Sequence, residues 1–377
     1  MYIKAIRKFL RRNLEDKIAN RILKNIYKKR NNKSALISYT VFPFYGNNRG
    51  HANWHESRVI AGIFDSQGYN VDIVNYTCNA QIDYEKYDVI FGFGNPLENS
   101  FAYKNKILRV CYATGAHVFH QNQAEIERVK CFNLKYSARE RPQRIVPWTW
   151  SQSTTMSDAL IILGNEWTRS TYKSYTDIPI YNLNAIALIN NNLSTSKKDF
   201  ESAKNNFLWF GSHGLIHKGL DLCLEFFGAN RQFKLHVCGP YEPGFYDVFE
   251  KCFRLDNVIN HGFVDVESDR FPEITAQCAF ALLPTCSEGQ TTSLLTAMGA
   301  GLIPLSTIYS GVDFQNYGYC IDELTVEALG AAIGKAQDLT ASQISKKSMK
   351  IQEYIREVHS IDRYRASLDV IIKDIMC

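Results

Sequence analysis

The spacing of hydrophobic positions changes sharply at residue 34. Before it, in MYIKAIRKFLRRNLEDKIANRILKNIYKKRNNK, Ile3, Ile6, Leu10, Leu14, Ile18, Ile22 and Ile26 recur every three or four residues, with Lys and Arg in the gaps. A helical period places those side chains on one stripe, which predicts an amphipathic helix over residues 1–33. From Ser34 short apolar runs alternate with helical periods. SALISYT, YNVDIVNY, YDVIFGFG, ILRVCYATG and DALIILGN read as strands, and HESRVIAGIFDSQG as a helix between the first two. Such a strand–helix rhythm implies a parallel sheet covered by helices on both faces.

The rhythm breaks at LINNNLSTSKKDFESAKNN, a polar stretch read as a domain boundary, and then restarts. NFLWFGS, FKLHVCGP, VINHGFV, FALLPT and LIPLST read as strands, and HKGLDLCLEFFG, FPEITAQC and SLLTAMGAG as helices among them. The last stretch, SMKIQEYIREVHSIDRYRASLDVIIKDI, is helical with no strand to pair. The expected organisation is therefore α/β: a basic amphipathic segment at 1–33, a first Rossmann-like domain at 34–190, a second at 205–345 and terminal helices at 346–377. Sheets of this kind bind ligands at the carboxyl ends of their strands, so the expected site is the cleft between the two domains.

Composition narrows the class. With 45% hydrophobic and 21% charged residues, the 377-residue chain has material for packed cores. No apolar run reaches the ~18 residues of a membrane span, and no signal peptide is recognisable. The ten cysteines form no C-x-x-C pair, which fits free thiols in a reducing cytoplasm. The net charge of +5 is uneven. Residues 1–33 hold twelve Lys and Arg against Glu15 and Asp16, about +10, leaving about −5 for the rest. A local basic face beside an apolar stripe suits an anionic membrane surface and argues against nucleic acid as partner.

Two loops carry candidate chemistry. In SHGLIHKGLD, Gly211 and Gly214 permit close backbone approach and Lys218 stands at a helix start, an arrangement suited to a diphosphate. In CSEGQTTS, small and hydroxyl residues lead into a helix behind the single carboxylate Glu288. A carboxylate beside bound phosphate is repelled by it, so Glu288 is expected to take hydrogen bonds from sugar hydroxyls. The same residues also fit a plain helix cap at Ser287 or Thr291.

Taken in order, FLWFGSHGLIHKGLDL, VINHGF and PTCSEGQTTSLLTAMGAGLIP resemble the C-terminal domain of glycosyltransferase family 4 (group 1-like) and its retaining GT-B relatives. GHANWHES and IAGIFDSQGYNVDIVNY resemble the matching N-terminal domain, so the likeness spans roughly residues 34–375. It implies the GT-B fold, two Rossmann-like domains facing across a cleft. It also implies transfer of a sugar from a nucleotide-sugar donor with retained configuration, to a glycan or lipid-linked acceptor. By this resemblance Lys218 clamps the diphosphate in a site made with Gly211, Ser212 and Gly214. Glu288 holds the transferred sugar, and the N–H groups of Gly289, Gln290, Thr291 and Thr292 hold sugar and phosphate. The backbone at Phe263 and Val264 faces the base.

His117 falls at the family's histidine after the fourth strand, a catalytic position with Lys218 and Glu288. Asn95 and Glu98 are weaker candidates nearby, while Trp148 and Trp150 read as packing or a cleft edge. The loop PFYGNNRGHANWHES resembles the acceptor loop, with Gly46, Arg49, Gly50 and His51 as its residues. Two positions depart from the pattern. Ser212 stands six residues before Lys218, where the family has Arg, and seven residues separate Glu288 from Thr296, where it has a ribose-binding Glu. Thr296 is expected to offer the ribose a weaker contact, and His213 and His217 to contribute charge near Ser212. No D-x-D pair occurs, so no metal or other cofactor is expected. The expected setting is cytoplasmic, at the inner face of the cell membrane, in cell-surface polysaccharide or glycolipid synthesis. The alternative, which the two departures motivate, is a non-catalytic GT-B-fold protein that binds a partner in a glycan-assembly complex.

Overall fold

The structure, a computed structural model, describes residues 14–46, 51–103, 106–189 and 198–377. Six strands form the first sheet: β1 (Lys33–Tyr39), β2 (Tyr69–Asn75), β3 (Val89–Gly92), β4 (Leu108–Ala113), β5 (Ala159–Leu163) and β6 (Ile180–Leu183), in the spatial order β2-β1-β3-β4-β5-β6. Six more form the second: β7 (Asn206–Phe210), β8 (Lys234–Cys238), β9 (Val258–Gly262), β10 (Phe280–Leu283), β11 (Ile303–Ser306) and β12 (Tyr319–Cys320), in the order β12-β11-β10-β7-β8-β9. Neighbouring strands in both sheets are parallel. Ile37 pairs with Ile73 on one side and Phe91 on the other, and Leu282 with Leu305 and Trp209. Helices cover both faces, which is why every residue of β5, ALIIL, is buried and the strand shows no polar alternation.

Seven helices position the site. They are α1 (Ala52–Ser66), α2 (Val118–Tyr136), α3 (Glu166–Lys173), α4 (Leu220–Ala229), α5 (Thr292–Gly299), α6 (Ala341–Val358) and α7 (Ile361–Met376). The last two tie the domains together. Thr340 closes a capping box at the start of α6, and Ser348 and Gln352 on that helix donate to Gly301 O (2.6 Å) and Gly299 O (3.2 Å) in the second domain. Ser360 then caps α7, which packs on the first domain. Tyr364 meets Tyr112 at 2.8 Å, Tyr181 donates to Asp374 at 2.7 Å, and Gln67 to Asp369 at 3.0 Å. The Tyr112 and Tyr39 hydroxyls both donate to Glu56, a carboxyl that burial pushes up to about 7.

The structure corrects the reading of residues 1–33 as one helix. Residues 1–13 lie outside the described residues; 14–19 are helical, and the chain then runs extended. Leu23 and Ile73 exchange two backbone hydrogen bonds of 2.9 Å, and the Ile26 N–H reaches Val71 O at 3.0 Å. The cause is the open edge of β2, whose backbone groups need partners more than Ile22 and Ile26 need a helical stripe. Ile18, Leu23 and Ile26 pack on the large core, and Ile22 on the smaller cluster across the sheet. Among the described residues no helix is long and apolar enough to cross a membrane.

Between the domains, α2 lies against α4. Arg128 on α2 and Asp221 on α4 form a buried ion pair, with the guanidinium 2.5 and 2.6 Å from the two carboxylate oxygens. Lys135 and Glu225 repeat the pairing nearer solvent at 2.5 Å, and Phe132 stacks on Phe245 across the same seam. Acidic and basic faces meeting across a seam fix which turn of one helix opposes which turn of the other.

Candidate active site

The two candidate loops leave adjacent strands of the second sheet, β7 and β10, and converge on Glu288. Strand β7 delivers Ser212 to Lys218 ahead of α4, and β10 delivers Cys286 to Thr291 ahead of α5. Trp209 is fully buried and donates its indole N–H to Lys218 O at 3.1 Å, which anchors the lysine backbone. The Lys218 ammonium pairs with Glu288 Oε1, and both side chains are nearly inaccessible to solvent. Burial, partly offset by Glu288, lowers the lysine below its ordinary value. Burial would raise Glu288, but Arg144, Lys218 and His217 together outweigh it and hold the carboxyl at about 2.

The first domain closes over this pair. Gly289 sits where a Cβ would come within 2.4 Å of Thr114 O and 2.9 Å of Leu163 O, beside the ends of β4 and β5, so only glycine lets the loop approach this closely. The Thr168 hydroxyl on α3 then donates to Gly289 O at 2.7 Å. From the segment after α2, Arg144 reaches Glu288 Oε2 at 3.2 Å. Its stem lies over Gly214, where a Cβ would fall 2.5 Å from Arg144 Cδ and the backbone φ is +90°.

A network of acids behind the loops holds this arrangement. Glu125 on α2 accepts from His217 Nδ1 at 2.7 Å and from the backbone N–H groups of Gln143 (2.6 Å) and Arg144 (3.1 Å). Burial raises that carboxyl, but these hydrogen bonds prevail and leave it below its ordinary value. The other ring nitrogen of His217 bonds Ser287 O. Glu242 accepts from the N–H groups of Gly214 (2.7 Å) and Leu215 (3.2 Å). Glu125, His217 and Cys286 are, among the described residues, the one group with metal-ligand spacing, their ligand atoms lying within 4.8 Å. They bond one another directly, with Cys286 Sγ 3.2 Å from His217 Nδ1, and burial pushes the thiol far above its ordinary value.

Several expected residues are placed differently. Thr296 is buried in α5 and its hydroxyl accepts the Leu188 N–H at 3.2 Å, so it braces the crossing between domains. The Gln290 side chain joins the same crossing, accepting from Ala185 N–H at 2.6 Å and donating to Asn184 at 3.3 Å. The Thr291 N–H and hydroxyl both go to Ser310 O at 3.0 Å, which removes one of the four N–H groups expected for the ligand. Ser212 is exposed, as is Phe263 at 80%, while Val264 is buried. Gly46 and His51 flank the loop expected to meet an acceptor, in which Arg49 and Gly50 lie outside the described residues.

His117 caps α2, accepting the Phe119 N–H on Nδ1 at 3.3 Å, and stacks on Tyr175 at 3.9 Å. Burial, reinforced by His120, lowers it to about 4, so the ring is neutral with its proton on Nε2. Asn95 accepts the Trp150 indole N–H at 2.8 Å. Glu98, pushed up to about 7 by burial, borders a cavity of about 630 Å³ that Asn79, Tyr103 and Gln152 also line.

Residues 204–338 match the family model described as glycosyl transferases group 1. Residues 204–338 are thus similar to group 1 glycosyl transferases, and the chain as a whole has the GT-B fold. WaaG, a glycosyltransferase involved in lipopolysaccharide biosynthesis, superposes with a TM-score of 0.58 at 16% identity, over 90% of this chain and 99% of that one. The sucrose-phosphate synthase of Thermosynechococcus elongatus gives 0.63 at 11%, over 91% and 99%. Anabaena HepE in complex with UDP gives 0.60 at 11%, over 91% and 100%. No curated protein matches the chain by sequence. In the GT-B frame, Lys218 and Glu288 lie at the carboxyl ends of the second sheet's strands, facing those of the first.

The placement of Thr296 makes a prediction. Thr296→Val leaves the Leu188 N–H without its partner, so unfolding free energy should fall by about 1–3 kcal/mol in denaturant titrations. Affinity for any nucleoside diphosphate that binds should stay the same by calorimetry. Weaker binding at unchanged stability would place Thr296 at the ribose.

Proposed function

We propose that the chain is a retaining glycosyltransferase that moves a sugar from a nucleotide-sugar donor to a glycan or lipid-linked acceptor without a metal. The observation that carries this reading is the convergence of Lys218 and Arg144 on one buried carboxylate between the two sheets. Polar atoms lacking partners gather in the same elements: Arg144 Nε, Ser287 Oγ, Ser293 Oγ and His117 Nε2. A ligand rich in hydroxyl and phosphate oxygens would satisfy them. In support, HepE was solved with UDP and glucose, and WaaG acts in lipopolysaccharide biosynthesis.

The state of the groups at the two loops supports retention. An inverting transfer needs a base to activate the acceptor hydroxyl, and bases work best with a pKa near the operating pH. Glu288 at about 2 and His117 at about 4 are too weak, and Glu125 is tied up by three donors. Of these groups at the two loops none serves, which favours the departing diphosphate as the base. The C1–O bond to phosphate breaks, the acceptor oxygen bonds C1 on the same face, and the acceptor proton passes to the diphosphate oxygen. Lys218 steadies the charge that develops there. The test is to follow anomeric proton signals while the chain consumes an α-linked nucleotide sugar. An α-linked product is expected; a β-linked product overturns retention. The second reading, a non-catalytic binding protein, is favoured by Thr296 being spent on Leu188, and binding of nucleotide sugars without any turnover would establish it.

The setting we propose is the cytoplasmic face of a membrane, where cell-surface polysaccharides and glycolipids are built. Five Lys and Arg stand among residues 1–13, and each near an anionic surface is worth about 1 kcal/mol. The full chain should sediment with phosphatidylserine vesicles, and a chain beginning at Leu14 should not. Binding should vanish near 1 M salt, where the Debye length is about 3 Å. Equal sedimentation of the two chains would refute a membrane role for this segment.

A further inference from the structure

We propose that Arg144, supplied by the first domain, is the second cation of the diphosphate site and takes the place of the arginine missing at Ser212. The inference rests on the reading of the second domain as a nucleotide-sugar site. It starts from the charge count around Glu288. Lys218 occupies Oε1 and Arg144 occupies Oε2, so two cations share one carboxylate and the three side chains carry a net charge of +1. A diphosphate brings more negative charge than Glu288 and presents paired oxygens that a planar guanidinium matches. It therefore competes for both cations, and the carboxylate it releases is the group expected to hold the sugar hydroxyls.

The geometry shows a side chain that can move on a backbone that is held. The Arg144 N–H is bonded to Glu125, the Arg144 carbonyl accepts from Gln121 at 3.2 Å, and Val146 exchanges two 2.8 Å hydrogen bonds with Asn122. All three anchors, Gln121, Asn122 and Glu125, belong to α2. The guanidinium is less committed. Its Nη1 makes a long 3.4 Å contact to His213 O, Nη2 makes the 3.2 Å contact to Glu288, and Nε has no partner although it is buried. His213 O places the guanidinium one residue from Ser212, where the second domain itself offers no cation. Because Lys218 and Arg144 belong to different domains, a diphosphate held by both would also latch the cleft shut.

The test is calorimetric titration of the full chain with UDP, GDP, ADP and, as a control, the matching nucleoside. Four proteins are compared: wild type, Arg144→Ala, Arg144→Lys, and Arg144→Ala combined with Ser212→Arg. Arg144→Ala should weaken the nucleoside diphosphate that binds by at least about tenfold while leaving the nucleoside unchanged. Arg144→Lys should recover part of the loss. Ser212→Arg should recover most of it, because it restores a guanidinium to the same space from the other domain. Unchanged or tighter diphosphate binding by Arg144→Ala overturns the proposal, and so does an equal loss for the nucleoside, which would mark a purely structural role. If wild type binds none of the three diphosphates, the nucleotide-site reading falls together with it.

Discussion

Glu288→Gln is expected to reduce turnover of the nucleotide sugar at least tenfold while leaving nucleoside diphosphate affinity equal or higher. Glutamine keeps the shape and can still accept a hydrogen bond, so the loss isolates the charge. A tenfold loss corresponds to about 1.4 kcal/mol of transition-state stabilisation, a modest demand on a charged contact to sugar hydroxyls. Affinity for the diphosphate should rise because Lys218 and Arg144 are no longer held by a competing anion. The variant should also be less stable when empty, since two cations lose their partner, and should regain stability when UDP or another bound diphosphate is added. Calorimetry, thermal melting and initial rates on the same preparation check all three. Loss of diphosphate affinity with turnover intact at saturating donor would place Glu288 on the ribose and contradict the assignment to the sugar.

Breaking the ion pair between the domains should have the largest effect on stability. Asp221→Ala leaves the buried Arg128 guanidinium without its carboxylate and should lower unfolding free energy by about 3–5 kcal/mol. Combining Arg128→Met with Asp221→Leu removes both charges and should recover most of the loss. Denaturant unfolding of the single and double variants measures it. A loss below about 1 kcal/mol for Asp221→Ala would show that the seam is held by Phe132, Phe245 and their neighbours without help from the pair.

The fold was legible because its strands announce themselves. VIFG and ALIIL, at the centres of YDVIFGFG and DALIILGN, are apolar throughout, as strands covered on both faces must be, and glycines follow them at the loops. Lys218 and Glu288 were legible for a related reason: local sequence puts each at the entrance of a helix. The partners that set their chemistry were not. Arg144 lies 144 residues from Glu288, and Glu125 lies 92 from His217, so neither pair leaves a periodic trace. On α2 the charged residues Glu125 and Arg128 look like a solvated face, and only the docking of the second domain buries them. The N-terminal stripe misled for the opposite reason. Ile18, Ile22 and Ile26 keep a helical spacing, but the free edge of β2 offers the chain backbone hydrogen bonds that a helix on the surface does not need. Thr296 shows how far a motif position reaches: it occupies the expected place in sequence, yet the segment crossing between domains puts the Leu188 N–H on its hydroxyl.

We assign the buried Lys218–Glu288 pair to the donor site of a nucleotide-sugar transferase. It is tested most directly by measuring nucleoside diphosphate released from a panel of nucleotide sugars, by the full chain and by Lys218→Ala. Release from at least one donor is expected of the wild-type chain. A fall of about thirtyfold or more is expected in Lys218→Ala, the loss of a charged contact worth about 2 kcal/mol. No release from any donor, or equal rates in the two proteins, would contradict it.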